Sequence, residues 1–220
     1  MISGALAVAR MAHKYLMPSM LTLVVKYLKR AFPVEFRKWA ASPFRSALTP
    51  NEAVLAIGAV NLARLIDEPS LLPTALFVCY CVQSTHLLKG LAREDGSIEH
   101  LELEDVGRCL DARGRLAEKI LILATRIFAL SVSKKCAAPE MCREALGMML
   151  EGVGQYAAAF AESDVFSSWL GAYENSFVRL CCQRCQVMLR ERDEKERQAV
   201  WDELPEIMGV RVDNWVKENP

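Results

Sequence analysis

The sequence predicts an all-α protein, a bundle of about eight to ten helices. Apolar residues recur at helical spacing through most of its 220 residues. Helix start and stop signals separate these runs: Thr49-Pro50 precedes one of them, and Phe32-Pro33 follows another. Strong strand-like alternation of apolar and polar residues is missing from the sequence. A minor hairpin near 93–101, around the turn-forming Asp95-Gly96 step, is the most β-structure that we expect.

Prolines and acidic breaks divide the predicted helices of the first half. Pro18 stands in the first turn of one helix, where proline is tolerated. The run Asp67-Glu68-Pro69 ends another, and two prolines within residues 42–50 indicate a turn-rich connector. The predicted helices here cover residues 5–15, 18–31, 34–40, 49–66, 72–82 and 84–91.

The second half begins with the longest predicted helix, which starts at Leu103 and keeps an apolar stripe to Leu130. A break at 131–138 precedes a helix over 139–160 and a short segment at 166–170, capped by Ser163-Asp164. A further helix is predicted from Phe177 through Leu189. It continues into the charged run 190–197, whose mixed signs are typical of a solvated helix face. Trp201, Leu204 and Ile207 then return to an apolar surface.

Charge and hydropathy exclude two classes of partner. Lys+Arg and Asp+Glu both number 27, so the chain lacks the cation surplus that non-specific nucleic-acid binding requires. Residues 69–88 carry no formal charge, but polar residues and prolines leave only about twelve strongly apolar positions of the roughly 20 that a membrane span needs. We therefore expect a buried helix there, no nucleic-acid partner and no membrane partner.

The 8 cysteines and the N-terminal sequence indicate the compartment. The apolar run at the N-terminus is short, and no positive charge precedes it, so it does not predict a secretory signal. Reduced thiols are the rule inside cells. We expect an intracellular protein of the cytoplasm or nucleus.

Four of the cysteines form two pairs, Cys136 and Cys142 at CxxxxxC spacing and Cys182 and Cys185 at CxxC spacing. A helical chain that folds back on itself can bring them to one point. Zinc binds four ligands tetrahedrally and prefers thiolates. We therefore predict a structural zinc site on these four residues, with Cys181 as the alternate for Cys182. Four protein ligands would close the site, so the metal would staple helices rather than catalyse.

Two other interpretations of these cysteines stay open. Cysteine packs well as a small buried hydrophobe, so the four residues can be free core thiols, and a disulfide is the third interpretation. Core packing is also the prediction for Cys79, Cys81 and Cys109.

No catalytic constellation is recognisable in the sequence. It contains no glycine-rich phosphate loop, no HExxH and no GxSxG motif. The three histidines, His13, His86 and His100, are scattered and receive no ligand or catalytic role. We expect a protein without enzymatic activity.

Three groups of short motifs follow one another along the chain. They are Ala9-Arg-Met-Ala-His-Lys-Tyr15 with Pro18 and Phe32-Pro33; then Asn61-Leu-Ala-Arg64, Leu72-Pro-Thr-Ala-Leu76 and Leu91-Ala-Arg-Glu-Asp-Gly96; then Leu180-Cys-Cys-Gln-Arg-Cys185, Glu191-Arg192, Trp201-Asp-Glu-Leu-Pro-Glu206 and Trp215. In this order and spacing they resemble a family of BTB/POZ-domain proteins of basidiomycete fungi. The resemblance covers essentially the whole chain, including both cysteine pairs.

The resemblance implies a division of the chain and a kind of function. Residues 1–40 resemble the last helices of a BTB domain, whose front has no counterpart here, and residues 41–220 resemble the helical domain that follows. The implied function is non-enzymatic protein–protein interaction, as an adaptor or scaffold, with self-association or a cullin-type ligase component as partner. The alternative function is a zinc- or redox-responsive cysteine module. Without the BTB front we expect Leu6, Val24, Val25 and Leu28 to be partly exposed and residues 1–40 to self-associate.

Overall fold

The computed structural model describes residues 2–46, 49–93, 95–155, 164–173, 176–213 and 215. The prediction of an all-α fold is confirmed, because the described β-structure is a single two-stranded antiparallel sheet between helices. Contacts within the chain separate two compact units, Met1–Gly114 with Asp202–Pro220, and Arg115–Trp201. The domain boundary between residues 40 and 41 stays a prediction. None of the described helices combines the length and apolar character needed to cross a membrane.

The first unit is built from short and medium helices. In chain order they are α1 (Ile2–Lys14), α2 (Pro18–Ala31), α3 (Phe36–Ala40), α4 (Pro43–Ser46), α5 (Pro50–Ala53), α6 (Leu55–Leu65), a 3₁₀ turn (Pro69–Leu71), α7 (Leu72–Cys81), α8 (Ser84–Lys89), strands β1 (Leu91–Ala92) and β2 (Ile98–Glu99), and the start of α9 (Leu103–Ile127). A last helical turn, Leu204–Ile207, also belongs to this unit.

The helix predicted over 49–66 is two helices, because α5 ends at Ala53 and α6 begins at Leu55. Its predicted start is confirmed. The Thr49 hydroxyl accepts the Glu52 N–H at 3.3 Å, and the Glu52 carboxylate accepts the Thr49 N–H at 3.2 Å. This reciprocal capping box satisfies two donors that the first helical turn leaves open.

Helices α6 and α7 form the core of the first unit. Every residue of α7 from Leu72 to Cys79 is buried, which confirms that the uncharged stretch is a core helix. Its one buried hydroxyl, on Thr74, donates to the carbonyl of Pro33 at 2.8 Å. Trp39 of α3 packs edge-on against Phe77 with ring centroids 6.1 Å apart.

Helix α1 packs closely on α6 at Gly58. A Cβ at that position would lie 2.9 Å from the end of the Leu6 side chain, so any larger residue would force Leu6 to shift. Leu6, Val24 and Leu28 are buried, so the prediction that they would be partly exposed is wrong, whereas Val25 is half-buried as predicted. The reason is that α1 and α2 pack against each other and α1 also packs on α6. Different apolar side chains of these two helices face the solvent, as described below.

The short hairpin holds a buried carboxylate. Gly90 enters β1 at φ +79° with its backbone so close to Glu99 that a Cβ would meet the Glu99 carbonyl at 2.6 Å. The Glu99 carboxylate binds Arg10 at 2.6 Å, Arg93 at 2.9 Å and Asn61 at 3.0 Å. Burial acts to raise the pKa of Glu99, but the hydrogen bonds from Arg93 and Asn61 and the charge of Arg10 outweigh it and lower that pKa.

The second unit contains the rest of α9 and three further helices, α10 (Pro139–Gln155), α11 (Phe177–Leu180) and α12 (Gln183–Asp202), with a 3₁₀ turn at Trp169–Ala172. Residues 156–163, at the end of the predicted 139–160 helix, lie outside the described residues, as does Ser163 of the predicted cap. Asp164 does accept the N–H of Phe166 at 2.8 Å. Phe128 is fully buried and packs edge-on against Trp169 and Tyr173.

The prediction of one helix from 177 through 189 is wrong. The backbone of Cys181 is extended (φ −74°, ψ 142°), so α11 ends at Leu180 and α12 begins at Gln183. The prediction of a solvated charged face is also wrong in part, because Asp193 and Arg197 of that run are buried. Asp193 accepts hydrogen bonds from Arg197 at 2.6 Å and from the N–H of Trp169 at 3.0 Å, which compensates its burial.

Core packing is confirmed for most of the residues assigned to it. Cys79 and Cys109 are buried, but Cys81 is exposed and its core assignment is wrong. The four tryptophans, Trp39, Trp169, Trp201 and Trp215, are all buried.

Candidate metal centre

The first cysteine pair lies at the start of α10. Cys136 is in the preceding loop, where its N–H donates to the carbonyl of Ser133 at 2.9 Å in a tight turn. Pro139 opens the helix, a position where a missing N–H costs nothing. Cys142 follows in the first turn, with its N–H bonded to the Ala138 carbonyl at 3.0 Å. The loop and the helical turn together direct both sulfurs toward the same point.

The second pair lies at the start of α12. Cys182 immediately precedes the helix, and its carbonyl accepts the N–H groups of Cys185 at 2.9 Å and Gln186 at 3.0 Å. This helical turn places Cys185 beside Cys182, which is how a CxxC sequence presents two sulfurs to one ion.

The four predicted ligands come together. The Sγ atoms of Cys136, Cys142, Cys182 and Cys185 all lie within 4.8 Å of one another, and those of Cys136 and Cys182 are 3.6 Å apart. Tetrahedral zinc with Zn–S bonds of about 2.3 Å requires S···S separations of about 3.8 Å. The sulfurs are therefore close to the spacing of a tetrahedral site. All eight cysteines are free thiols in this structure.

Backbone N–H groups support the sulfurs. The N–H of Cys182 donates to Sγ of Cys142 at 3.2 Å, and the N–H of Ser133 donates to Sγ of Cys185 at 3.4 Å. Cys142 and Cys185 are fully buried, whereas Cys136 and Cys182 are half-buried. Donors of this kind stabilise thiolates and orient ligands. The centre thus has two buried, hydrogen-bonded sulfurs and two that solvent reaches.

The thiols of Cys142, Cys182 and Cys185 differ in pKa. Backbone N–H groups around Ala137 and Cys185 lower the pKa of Cys182 to about 6. Burial and the neighbouring sulfurs raise the pKa of Cys185 to about 12, and burial raises that of Cys142 as well. Without a metal, a thiolate is therefore favoured at Cys182 over Cys142 and Cys185. Several negative charges so close together would repel each other. A divalent cation would remove that repulsion, and all four sulfurs could then ionise.

Arg192 of α12 holds the segment that leads into the centre. Its guanidinium donates to the carbonyls of Ile127, Ala129 and Ser131, each at 3.0 Å, and so fixes the chain just before Ser133. Sequence reasoning missed this residue, because the charged run around it predicted solvent exposure. Nothing in the sequence singled out Ser133 either, because its contribution is a backbone N–H.

Cys181, the alternate ligand, does not belong to the group of four. It is buried, and burial followed by the nearby Cys142 sulfur raises its pKa to about 11. Among the described residues, the cysteine quartet is the one group of three or more Cys, His, Asp or Glu side chains that could hold a metal ion. The three histidines take no part in it.

Comparisons with known proteins add no relative. No protein-family model, no curated protein and no solved structure matches this chain.

Proposed function

We propose that this chain is a non-enzymatic protein-interaction module with a structural zinc ion at Cys136, Cys142, Cys182 and Cys185. The observation that carries the interaction function is a pair of exposed apolar stripes on neighbouring helices. The first stripe is Val8 and Met11 of α1 with Tyr15 just after the helix, and the second is Met20, Leu23 and Tyr27 of α2. Both follow the spacing i, i+3, i+7, which aligns side chains along one face of a helix. Exposed apolar side chains grouped in this way are typical of a binding site.

The geometry of the four thiols supports a structural role for the metal. Four sulfur ligands from the chain would complete a tetrahedral shell, so no position would remain for water or substrate. The ion would join the loop before α10 to the start of α12. Zinc is the metal we propose, because thiolates in tetrahedral geometry suit it best.

The resemblance to fungal BTB/POZ-domain proteins supports the interaction function. In that family a protein partner, self-association or a cullin-type ligase component is the expected ligand. Each remains a candidate partner for this chain, within the cytoplasm or nucleus.

Proximity labelling tests the interaction function. The chain is expressed as a biotin-ligase fusion, and labelled neighbours are compared between the wild type, Leu23→Ser and Leu88→Ser. Leu23 is 63% exposed and Leu88, on α8, is 64% exposed, so the two substitutions remove equal apolar surface at different places. We expect a set of neighbours that is lost with Leu23→Ser and kept with Leu88→Ser. Identical neighbours in all three samples would rule out this surface as the binding site.

A second candidate function is a redox-responsive cysteine module. The specific observation is that Cys182, with its lowered pKa, lies 3.6 Å from Cys136, sulfur to sulfur. Hydrogen peroxide could oxidise the two thiols to one disulfide, transferring two electrons and two protons to peroxide to form two water molecules. Counting free thiols after peroxide, with and without bound zinc, separates the two functions. Loss of two thiols and release of zinc at low peroxide concentration favours the redox module, whereas retention of both favours the structural site.

A further inference from the structure

The N-terminal helical pair has an unusual charge distribution. Residues 1–34 contain Arg10, Lys14, Lys26, Lys29 and Arg30 but no aspartate or glutamate, and Glu35 is the first carboxylate of a chain whose formal net charge is zero. The cations of this segment therefore find carboxylate partners only in later parts of the chain or in another molecule.

Two of these cations have partners within the chain. Arg10 binds Glu99 at 2.6 Å, and Lys29 binds Glu68 at 3.1 Å. Among the residues that the structure describes, Lys26 and Arg30 form no ion pair. They stand one turn apart on α2, exposed to solvent.

An open groove of about 360 Å³ lies beside these two cations. Its lining is Ala5, Leu23, Val24, Lys26, Tyr27 and Arg30. Leu23 and Tyr27 belong to the exposed stripe of α2, so the apolar stripe and the cationic row border the same depression. A ligand bound here would contact apolar side chains, the Lys26 ammonium and the Arg30 guanidinium together.

We propose that this groove binds an acidic amphipathic helix of a partner protein. The apolar side chains of the partner helix would insert between α1 and the exposed stripe of α2. Its carboxylates would pair with Lys26 and Arg30, in the helix-in-groove mode of recognition. The inference rests on the proposed interaction function and names the partner's chemistry. A second copy of the chain that docked through the same groove would bring Lys26 and Arg30 of both copies together, and these like charges would repel each other. An anionic membrane would also be attracted to the two cations, but a planar surface does not enter a concave groove.

Peptide binding tests the inference. The probe is a fluorescent synthetic helix of about four turns, with Leu and Phe along one face and Glu on the others; a counterpart with Lys at every Glu position is the control ligand. Anisotropy is measured with the full chain at low and high salt. Lys26→Glu is matched by Lys89→Glu, an exposed α8 lysine outside the groove, and Leu23→Ser by Leu88→Ser.

We expect the acidic peptide to bind, salt to weaken it, and the Lys-containing peptide to bind at least tenfold more weakly. Lys26→Glu and Leu23→Ser should each weaken binding about tenfold, and their matched variants less than twofold. Equal binding of both peptides, or equal effects of Lys26→Glu and Lys89→Glu, would overturn the inference. Binding to phosphatidylserine–phosphatidylcholine vesicles without peptide binding would also overturn it. So would a dimer of the wild-type chain that dissociates into monomers in Leu23→Ser.

The two proposals fail in different ways. Cellular neighbours that depend on Leu23, without any binding of the acidic peptide, would overturn the partner's acidic chemistry and leave the interaction function standing. Peptide binding without such neighbours would support the groove's chemistry and count against the interaction function at this surface.

Discussion

The backbone N–H of Cys182 donates to the Sγ atom of Cys142, with 3.2 Å between nitrogen and sulfur and 40 residues between them in the chain. The extended backbone of the preceding residue, Cys181, breaks the helical path between α11 and α12, and this break frees the Cys182 N–H to reach across. The contact links the start of α12 to the first turn of α10. It also stabilises negative charge on Cys142, which a metal ligand must carry.

Replacing one buried ligand should remove zinc and stability together. We expect purified wild-type chain to bind about one zinc ion, and Cys185→Ser to bind none, because three thiolates and a hydroxyl hold zinc far more weakly. A chelator should lower the melting temperature of the wild type but not that of Cys185→Ser. Cys81→Ser, at an exposed cysteine outside the centre, is the control and should behave as the wild type. Metal analysis and thermal unfolding give the answer, and a zinc-loaded Cys185→Ser protein would refute the site.

Arg192 should control metal affinity without touching the metal. Arg192→Ala removes the donors to three backbone carbonyls and loosens the segment before Ser133, so zinc affinity should fall about ten- to a hundredfold. Arg192→Lys can bond fewer carbonyls and should give an intermediate loss. Lys195→Ala, an exposed position on the same helix, is the matched control. Competition with a chromogenic chelator measures the affinities; equal values for Arg192→Ala and Lys195→Ala would contradict this role.

Removing Asp193 alone from the buried Asp193–Arg197 pair should destabilise the chain more than replacing both residues. Asp193→Ala removes the carboxylate that the Arg197 guanidinium, the Ser168 hydroxyl and the Trp169 N–H share as an acceptor, and should destabilise the chain by about 3–5 kcal/mol. The double variant Asp193→Ala/Arg197→Met carries no unpaired buried charge and should lose less than Asp193→Ala alone. Urea unfolding followed by tryptophan fluorescence measures both. A double variant no more stable than Asp193→Ala would contradict this expectation.

Glu99 should make stability depend on pH in the acid range. Because its pKa is lower in the folded state, the unfolded state binds more protons between the two values. This stability is complete above the unfolded pKa of about 4.3 and is lost as the pH falls through the lower folded value. The advantage of the wild type over Glu99→Gln, on the order of 2 kcal/mol near neutral pH, should shrink toward zero in acid. Glu118→Gln, at an exposed carboxylate, should differ little from the wild type at any pH.

The sequence predicted the helices better than the contacts between them. The densely apolar run located α7, apolar periodicity located α9, and the helix start predicted at Thr49 is confirmed by its capping box. These features depend on neighbours within a few residues. The same local reasoning joined α11 to α12 across Cys181 and Cys182. The helical propensity of these residues does not reveal that a sulfur 40 positions earlier accepts the Cys182 N–H.

For the candidate site, the residue types and spacings determined the four cysteines, since CxxC geometry is local and thiols are rare enough to stand out. Only the tertiary structure decided that both pairs meet, that Cys181 is left aside, and that Arg192 and the Ser133 amide support the centre. It likewise decided which side of α1 and α2 is buried, because an amphipathic helix with apolar residues on two faces does not specify which face packs. Long-range packing against Gly58 of α6 covers Leu6 of α1. On α2, Leu23 stays exposed to solvent.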